Sequence, residues 1–195
     1  SQNQGENGCY LTGHCIISRR CEIDAYCDYY KYVWLTYRTD APSAGMDMGV
    51  SLQYALNRDN KLSVKYLWKN KEQNGSTNIY YKSIDELNRH KIRAVFTSLP
   101  YKNIKLTTEL DGIINVNHTQ HQVYKGILLF QDVDWNIPKW KASARFRIAY
   151  FDTDRYDERL YAYENDVYYA FTIGSYYYKG IRGYCVLKYS YQFVS

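Results

Sequence analysis

Residues 140–150 read WKASARFRIAY, and from Trp140 to Ile148 apolar and polar side chains alternate. Apolar residues occupy the even positions, whereas a lysine, a serine and two arginines occupy odd ones. A period of two residues is typical of a β-strand with one apolar and one polar face. The stretch therefore predicts an amphipathic strand.

The same alternation recurs along the chain on both sides of this stretch. It is present in residues 20–29, 46–56, 61–68, 91–97, 104–111, 166–173 and 185–193. Residues 57–60 form a tight polar turn between two of these segments, which is typical of a β-hairpin. Residues 10–18 and 123–135 alternate less regularly, and the second contains the unbroken apolar run 127–130; we interpret both as strands. The pattern predicts an all-β, antiparallel up-and-down barrel of about 8 to 10 strands.

Three longer polar segments, residues 36–45, 72–88 and 152–163, are predicted as loops at one end of this barrel. The length fits one β-barrel domain over residues 1–195, with residues 1–8 as a flexible N-terminal segment. Those eight residues have neither a cationic nor an apolar region, so no signal peptide is visible.

Composition excludes several classes of protein. Aromatic residues make up 17% of the chain, which argues against both a helical bundle and a disordered chain. No stretch approaches the roughly 18 consecutive apolar residues of a membrane-spanning helix. The net charge of +5 is small, and the basic residues alternate with apolar ones instead of forming a stripe, so no nucleic-acid partner is expected.

Alternation alone fits a soluble barrel with its apolar side inward and a membrane barrel with its apolar side outward. Charge of both signs favours the second, because charges that line an enclosed lumen need partners. The charged residues predicted to face the lumen are Glu22, Asp24, Asp28, Lys61, Lys65, Lys91, Arg93, Glu109, Asp111, Arg145 and Arg147. The residues predicted to face lipid are Leu52, Tyr54, Val64, Tyr66, Phe146, Ile148, Tyr169, Phe171, Leu187 and Tyr189.

Aromatic side chains cluster near the ends of the predicted strands, at residues 29–34, 68, 80–81, 135, 140, 161, 163 and 176–178. Tyr and Trp prefer the bilayer interface, where the ring is partly buried and its polar tip stays hydrated. These residues predict an aromatic girdle. The alternative is that tyrosine simply favours strands.

Four cysteines, Cys9, Cys15, Cys21 and Cys27, recur every six residues. Along a single strand that interval extends about 20 Å, too far for a shared metal ion. We interpret them as small apolar side chains; a disulfide, such as one between the first and last strands near Cys185, stays open.

An acidic cluster in the 152–166 region offers oxygen ligands for calcium but lacks EF-hand spacing, so ion pairs with nearby arginines are favoured. Candidate general bases are His14, His90, His118 and His121. Ser98 lies eight residues after His90, too far along a strand to bond it. No nucleophile motif surrounds any serine, so we expect neither catalysis nor a cofactor.

Residues 151–171 (FDTDRYDERLYAYENDVYYAF), followed by 178–182 (YKGIR), resemble the C-terminal barrel part of Bacteroidetes outer-membrane β-barrel proteins, several of which carry an N-terminal helix-hairpin-helix region. Residues 34–43 (WLTYRTDAPS) and 126–133 (GILLFQDV) resemble the same family in the same order. No helix-hairpin-helix pattern is present, so its DNA role does not carry over. The barrel portion of that family is usually longer, so the resemblance implies that this chain is its C-terminal part.

These features predict an integral outer-membrane β-barrel of a Gram-negative bacterium, with a structural, anchoring or complex-subunit role and an occluded lumen. The expected partners are the lipid bilayer, lipopolysaccharide and other outer-membrane chains if the barrel closes with them. Two alternatives are a soluble ligand-binding β-barrel and an outer-membrane barrel enzyme.

Overall fold

Most of the predicted alternating segments form one antiparallel sheet in a computed structural model that describes residues 5–35, 39–75, 84–118, 121–164 and 172–190. Its first eight strands are β1 (Glu6–Ser18), β2 (Cys21–Tyr32), β3 (Ser43–Ala55), β4 (Asn60–Asn74), β5 (Ile84–Tyr101), β6 (Ile104–Asn117), β7 (Gln122–Ile137) and β8 (Ala142–Thr153). The later strands are β9 (Leu160–Glu164), β10 (Thr172–Tyr176) and β11 (Lys179–Tyr189). Two short 3-10 turns cover Pro138–Trp140 and Tyr156–Glu158.

The nine-stranded sheet has the order β1-β2-β3-β4-β5-β6-β7-β8-β11, so each strand pairs with the next in an up-and-down meander. β11 pairs directly with β8. β1 and β11 are the two edges, and the sheet is open between them over the residues that the structure describes. The predicted antiparallel up-and-down fold is confirmed.

β9 and β10 form a separate two-stranded hairpin inserted between β8 and β11. At its base, the Thr153 backbone N–H donates to the Tyr178 carbonyl at 2.8 Å, and the Tyr178 N–H donates to the Thr153 hydroxyl at 2.7 Å. The two bonds hold the ends of the insertion together, so β8 and β11 pair as neighbours.

This hairpin corrects two predictions. Residues 152–163 were expected to be a loop, yet they contain the end of β8, a 3-10 turn and most of β9. The strand predicted over residues 166–173 lies outside the described residues as far as residue 171, and its end, Thr172 and Ile173, belongs to β10, which pairs with β9 and not with the large sheet. Alternation predicts a strand without specifying its partner.

β1 begins at Glu6, so three of the eight residues predicted to be flexible pair with β2 in the ladder. The turn at residues 57–60 connects β3 and β4 as predicted, and the Asn57 side chain accepts the Asp59 and Asn60 backbone N–H groups at 2.9 and 2.7 Å. An Asx-type bond of this kind stabilises a tight turn without help from the sheet.

The core lies where the hairpin covers the sheet. Leu160, Ala162 and Tyr176 of the hairpin are buried together with Leu128 and Phe130 of β7, among others. Because a strand turns successive side chains to opposite faces, Leu128 and Phe130 lie under the hairpin while their neighbours Ile127 and Leu129 are exposed on the other face. The unbroken apolar run at 127–130 therefore contributes two side chains to the core and two to the opposite, exposed face of the sheet.

A close approach at Gly49 shapes the other half of the sheet. Gly49 of β3 is paired with Tyr26 of β2, and a Cβ atom at Gly49 would clash with the Tyr26 ring. The ring therefore covers the glycine, a contact that a larger residue would displace.

The division of the apolar run predicts different effects for two adjacent leucines. Leu128→Ala should lower the free energy of unfolding by about 2–5 kcal/mol, because it leaves a cavity beneath the hairpin. Leu129→Ala, on the opposite face, should cost less because Leu129 is already 44% exposed. Denaturant unfolding of the two refolded variants gives the comparison, and equal losses would contradict this account of the core.

Candidate functional site

The ladder register places the predicted charged residues on one face of the large sheet. One continuous row across the strands is His14, Asp24, Ser51, Lys65, Arg93, Asp111 and Leu128. The predicted charged residues all share the parity of this row, and the hairpin packs on the same side. We call this side the charged face.

The opposite side is the apolar face. It carries Leu52, Tyr54, Val64, Tyr66, Phe146, Ile148, Leu187 and Tyr189, whereas Tyr169 and Phe171 lie outside the described residues. Ile148 and Leu187 are 61% and 76% exposed, while Arg147 on the charged face is 6% exposed. Burial thus follows the reverse of the order typical of a soluble protein.

Arg147 of β8 lies on the charged face beneath the hairpin. Its guanidinium donates two hydrogen bonds of 2.5 Å to the carboxylate of Asp132 on β7, in the side-by-side geometry that matches guanidinium to carboxylate. A third bond of 2.7 Å goes to the backbone carbonyl of Tyr163. The guanidinium carbon also lies 3.8 Å from the centre of the Phe130 ring. Arg147 therefore joins the sheet to β9.

Arg93 of β5 makes a second connection of the same kind. It donates bonds of 2.7 and 2.6 Å to the two carboxylate oxygens of Asp111, which is fully buried, and it lies 3.2 Å from Glu109. Its remaining contact is a 3.1 Å bond to the carbonyl of Tyr161. The two arginines thus bind alternate carbonyls along one edge of β9, while β10 pairs with the other edge.

Glu164 fixes the far end of the hairpin. It accepts a 2.8 Å bond from the Tyr176 hydroxyl and a 2.8 Å bond from Arg182 of β11. Burial raises the pKa of Tyr176 to about 12, and the Glu164 carboxylate is a second cause. The phenol therefore stays protonated at neutral pH and keeps donating to Glu164. The rings of Tyr176 and Phe151 also pack edge to face, with their centres 5.3 Å apart.

The predicted charged residues are not all brought together. Arg93, Glu109, Asp111, Arg145 and Arg147 lie in or beside the cluster beneath the hairpin, with Arg145 bonded to Asp134. Away from it, His14 bonds Asp24 at 2.6 Å, and Asp24 also accepts from Ser51 at 3.3 Å. Glu22, Lys61 and Lys65 are exposed, and Asp28 and Lys91 are half-buried.

Sequence reasoning missed the acidic partners Asp132 and Asp134. Both alternate with Val133 and Trp135 in β7, a two-residue signal hidden by the apolar run before it. It also missed the pair Asp47 and Lys69, which are 2.5 Å apart on the charged face. Their sign and parity were visible, but their partners depend on the register between strands.

The cysteines do not form a metal site or a disulfide in the part of the chain that is described. All five cysteines are free, and they lie on the apolar face of β1, β2 and β11. Cys9 and Cys15 belong to β1 but Cys21 and Cys27 to β2, so the four do not lie along one strand. Residues 5–35, 39–75, 84–118, 121–164 and 172–190 contain no metal-ligand group of three or more His, Cys, Asp or Glu side chains.

Members of the acidic 152–166 region make separate contacts. Asp152 is 3.2 Å from Lys179, Asp154 accepts the Lys125 backbone N–H at 2.7 Å, and Asp157 is 4.0 Å from Arg159. Asp166 lies outside the described residues.

Of the histidines proposed as general bases, His90 bonds the Tyr66 hydroxyl at 2.7 Å on the apolar face, and His118 and His121 are exposed. In the part of the chain that is described, no helix has the length and apolar character needed to cross a membrane.

No protein-family model and no curated protein matches the chain. Among solved structures, it is similar to OmpT, an outer membrane protein of Vibrio cholerae. Against the in-vitro folded form the TM-score is 0.59 at 14% identity, covering 93% of this chain and 54% of OmpT. Against the outer-membrane expressed form the TM-score is 0.60 at 14% identity, covering 96% and 57%.

The chain therefore spans a little more than half the length of OmpT. At this identity the similarity concerns the fold alone: the nine-stranded antiparallel sheet is similar to part of the OmpT structure.

The contacts of Arg147 predict that its shape matters as well as its charge. Arg147→Lys keeps the charge but cannot serve both Asp132 oxygens and the Tyr163 carbonyl. Losing one charge-assisted bond costs about 1.5–3 kcal/mol, so amide exchange in β9 should accelerate roughly tenfold to a hundredfold. Hydrogen–deuterium exchange with mass spectrometry of residues 160–164 measures this rate.

Arg145→Lys is the matched control. Arg145 precedes Arg147 by two residues on the same face and bonds Asp134, not the hairpin. Equal acceleration in both variants would show that Arg147 has no special role in holding β9.

Proposed function

We propose that this protein is an integral outer-membrane β-barrel whose apolar face contacts lipid and whose charged face lines the lumen. The observation that carries the proposal is the contrast between Ile148, 61% exposed on the apolar face, and Arg147 beside it, buried and paired with Asp132. In a soluble barrel the apolar side chains would fill the interior. A sheet with an exposed apolar face and paired charges on the opposite face is expected where the apolar face contacts the hydrocarbon core of a membrane.

Strand length supports the same placement. The nine strands of the large sheet contain 11 to 18 residues each. A tilted strand of about 9–11 residues is sufficient to cross the hydrocarbon core. The connections at one end, such as residues 57–60, are short, and the insertion between β8 and β11 is long, which is typical of such barrels.

Exposed aromatic residues lie near both ends of the sheet. Trp140 and Tyr101 are 70% and 71% exposed beside the short turns, and Trp34 is 69% exposed beyond the opposite end of β2. They support an aromatic girdle. Tyr161, Tyr163 and Tyr176 do not belong to it, because they lie on the hairpin against the charged face.

The direction of the edge strands bears on how the barrel closes. Nine strands alternate in direction, so β1 and β11 run the same way and would meet in parallel if the sheet closed on itself. An all-antiparallel barrel needs an odd number of further strands between them. Bacterial barrels of one chain have even strand numbers. We therefore favour a larger barrel of which this sheet is a part.

The hairpin is the segment that we propose narrows the lumen. A barrel larger than nine strands is too wide for wall side chains alone to fill it. The β9–β10 hairpin, held by Arg93 and Arg147, projects from the charged face and narrows the lumen. This supports a structural, anchoring or complex-subunit role, with the bilayer and lipopolysaccharide as surroundings, and not a catalytic one.

Facing lipid has a consequence for charge at the apolar face. Ile148→Arg should reduce the free energy of folding into lipid vesicles by about 2–4 kcal/mol if residue 148 lies near the midplane. Gln53→Arg is the control, because Gln53 is exposed on the charged face and the change there should stay within about 0.5 kcal/mol. A wild-type protein that is monodisperse without detergent, or an Ile148→Arg variant as stable as wild type, would refute the membrane placement.

A narrowed lumen should conduct poorly. In planar bilayers we expect no large, stable openings from the wild-type protein. Replacing residues 156–176 with a short glycine-serine linker should produce them, since the closing contacts between Thr153 and Tyr178 lie outside the deleted segment. A heat-modifiable band on gels confirms that the variant is folded. Large openings in the wild type would disprove occlusion by the hairpin.

A further inference from the structure

A polar cavity of about 430 Å³ lies on the charged face where β4, β5, β6 and β7 meet the 3-10 turn before β9. It lies beside the start of the hairpin, at Tyr161, whose carbonyl accepts from Arg93. Ligand pockets typically occupy about 300–1,000 Å³ and are mostly apolar. This one has the usual size and the opposite chemistry, which suits a hydrophilic solute.

The buried carboxylate of Glu158 belongs to the lining of this cavity. Glu158 is 2% exposed, and its Oε1 atom accepts a 2.8 Å bond from the Asn115 amide. Its Oε2 atom is buried and has no hydrogen-bond partner among the described residues. Buried carboxylate oxygens are nearly always hydrogen-bonded, so an unsatisfied one beside a cavity calls for a donor from a ligand.

The surrounding side chains are already oriented by one another. Arg89 donates a 2.8 Å bond to Asn115, which in turn donates to Glu158. On the other wall, the Arg155 guanidinium lies 3.8 Å from the centre of the Tyr124 ring. A site whose polar groups are held in place before binding loses less entropy when a ligand enters.

The charges that line the cavity nearly cancel. One lysine and three arginines face two aspartates and one glutamate, alongside five asparagine and glutamine side chains. Near-balance argues against a strongly charged ligand. Amides and carboxylates beside guanidinium groups suit a ligand whose groups both donate and accept hydrogen bonds, which is the property of a hydroxyl.

We infer that this polar cavity binds a small saccharide. In this arrangement a sugar hydroxyl donates to Glu158 Oε2, and sugar oxygens accept hydrogen bonds from the arginines that line the cavity. The inference rests on the proposed function, because it assigns a solute to the side of the sheet that faces the lumen. It makes the hairpin part of a binding site as well as a constriction.

The test is isothermal titration of maltose, cellobiose and lactose into the full chain, folded in an amine-oxide detergent so that no sugar headgroup competes. We expect saturable binding of at least one disaccharide. Glu158→Gln, which removes a carboxylate acceptor in either orientation of its amide, should weaken it at least tenfold. Arg155→Ala, at an exposed position, should weaken binding without disturbing the core.

Asp24→Asn is the matched control, because Asp24 is a carboxylate on the charged face outside the cavity. It should bind like wild type. The inference is overturned if none of the sugars binds, or if all three variants lose affinity equally. It is also overturned if glycine, which carries one positive and one negative charge, binds at the site and the sugars do not. Heat-modifiability of each sample separates these outcomes, since a folded protein without sugar binding refutes the site and leaves the proposed barrel standing.

Discussion

The burial of paired charge between Arg147 and Asp132 is the interaction on which the rest of this structure depends. Removing either ion from water costs several kcal/mol, and the cost is offset only by close, hydrogen-bonded pairing. Here the pair is two-pronged, and the arginine has a donor left for a β9 carbonyl. The same group therefore satisfies the sheet, orients the hairpin and leaves the opposite face of β8, from Ala142 to Tyr150, to apolar side chains.

The faces follow from this pairing and from the two-residue period of a strand. A shift of one residue between β7 and β8 would turn Arg147 toward the face that carries Ile148 and leave Asp132 buried alone. The register is thus set by electrostatics on one side and by apolar exposure on the other. Both faces favour the same register between β7 and β8, which is the consistency expected of a sequence with one stable fold.

Much of this architecture could be predicted from sequence, because alternation is a local property. Most of the strong pattern at residues 140–150 lies in β8, although Trp140 belongs to the 3-10 turn before it, and the turn at 57–60 is a hairpin connection. The β9–β10 hairpin could not be predicted, since its short strands pair with each other and their contacts with Arg93 and Arg147 join distant segments. The same holds for the polar cavity, whose Glu158 comes from a segment predicted as a loop.

The carbonyls of Tyr161 and Tyr163 find their donors only on strands that are already aligned. An isolated β9–β10 hairpin is too small to be stable in water. It follows that the insertion docks late, after β5 to β8 have paired, and opens first when the protein is stressed. The chain thus carries over its buried core a segment whose order depends on its neighbours.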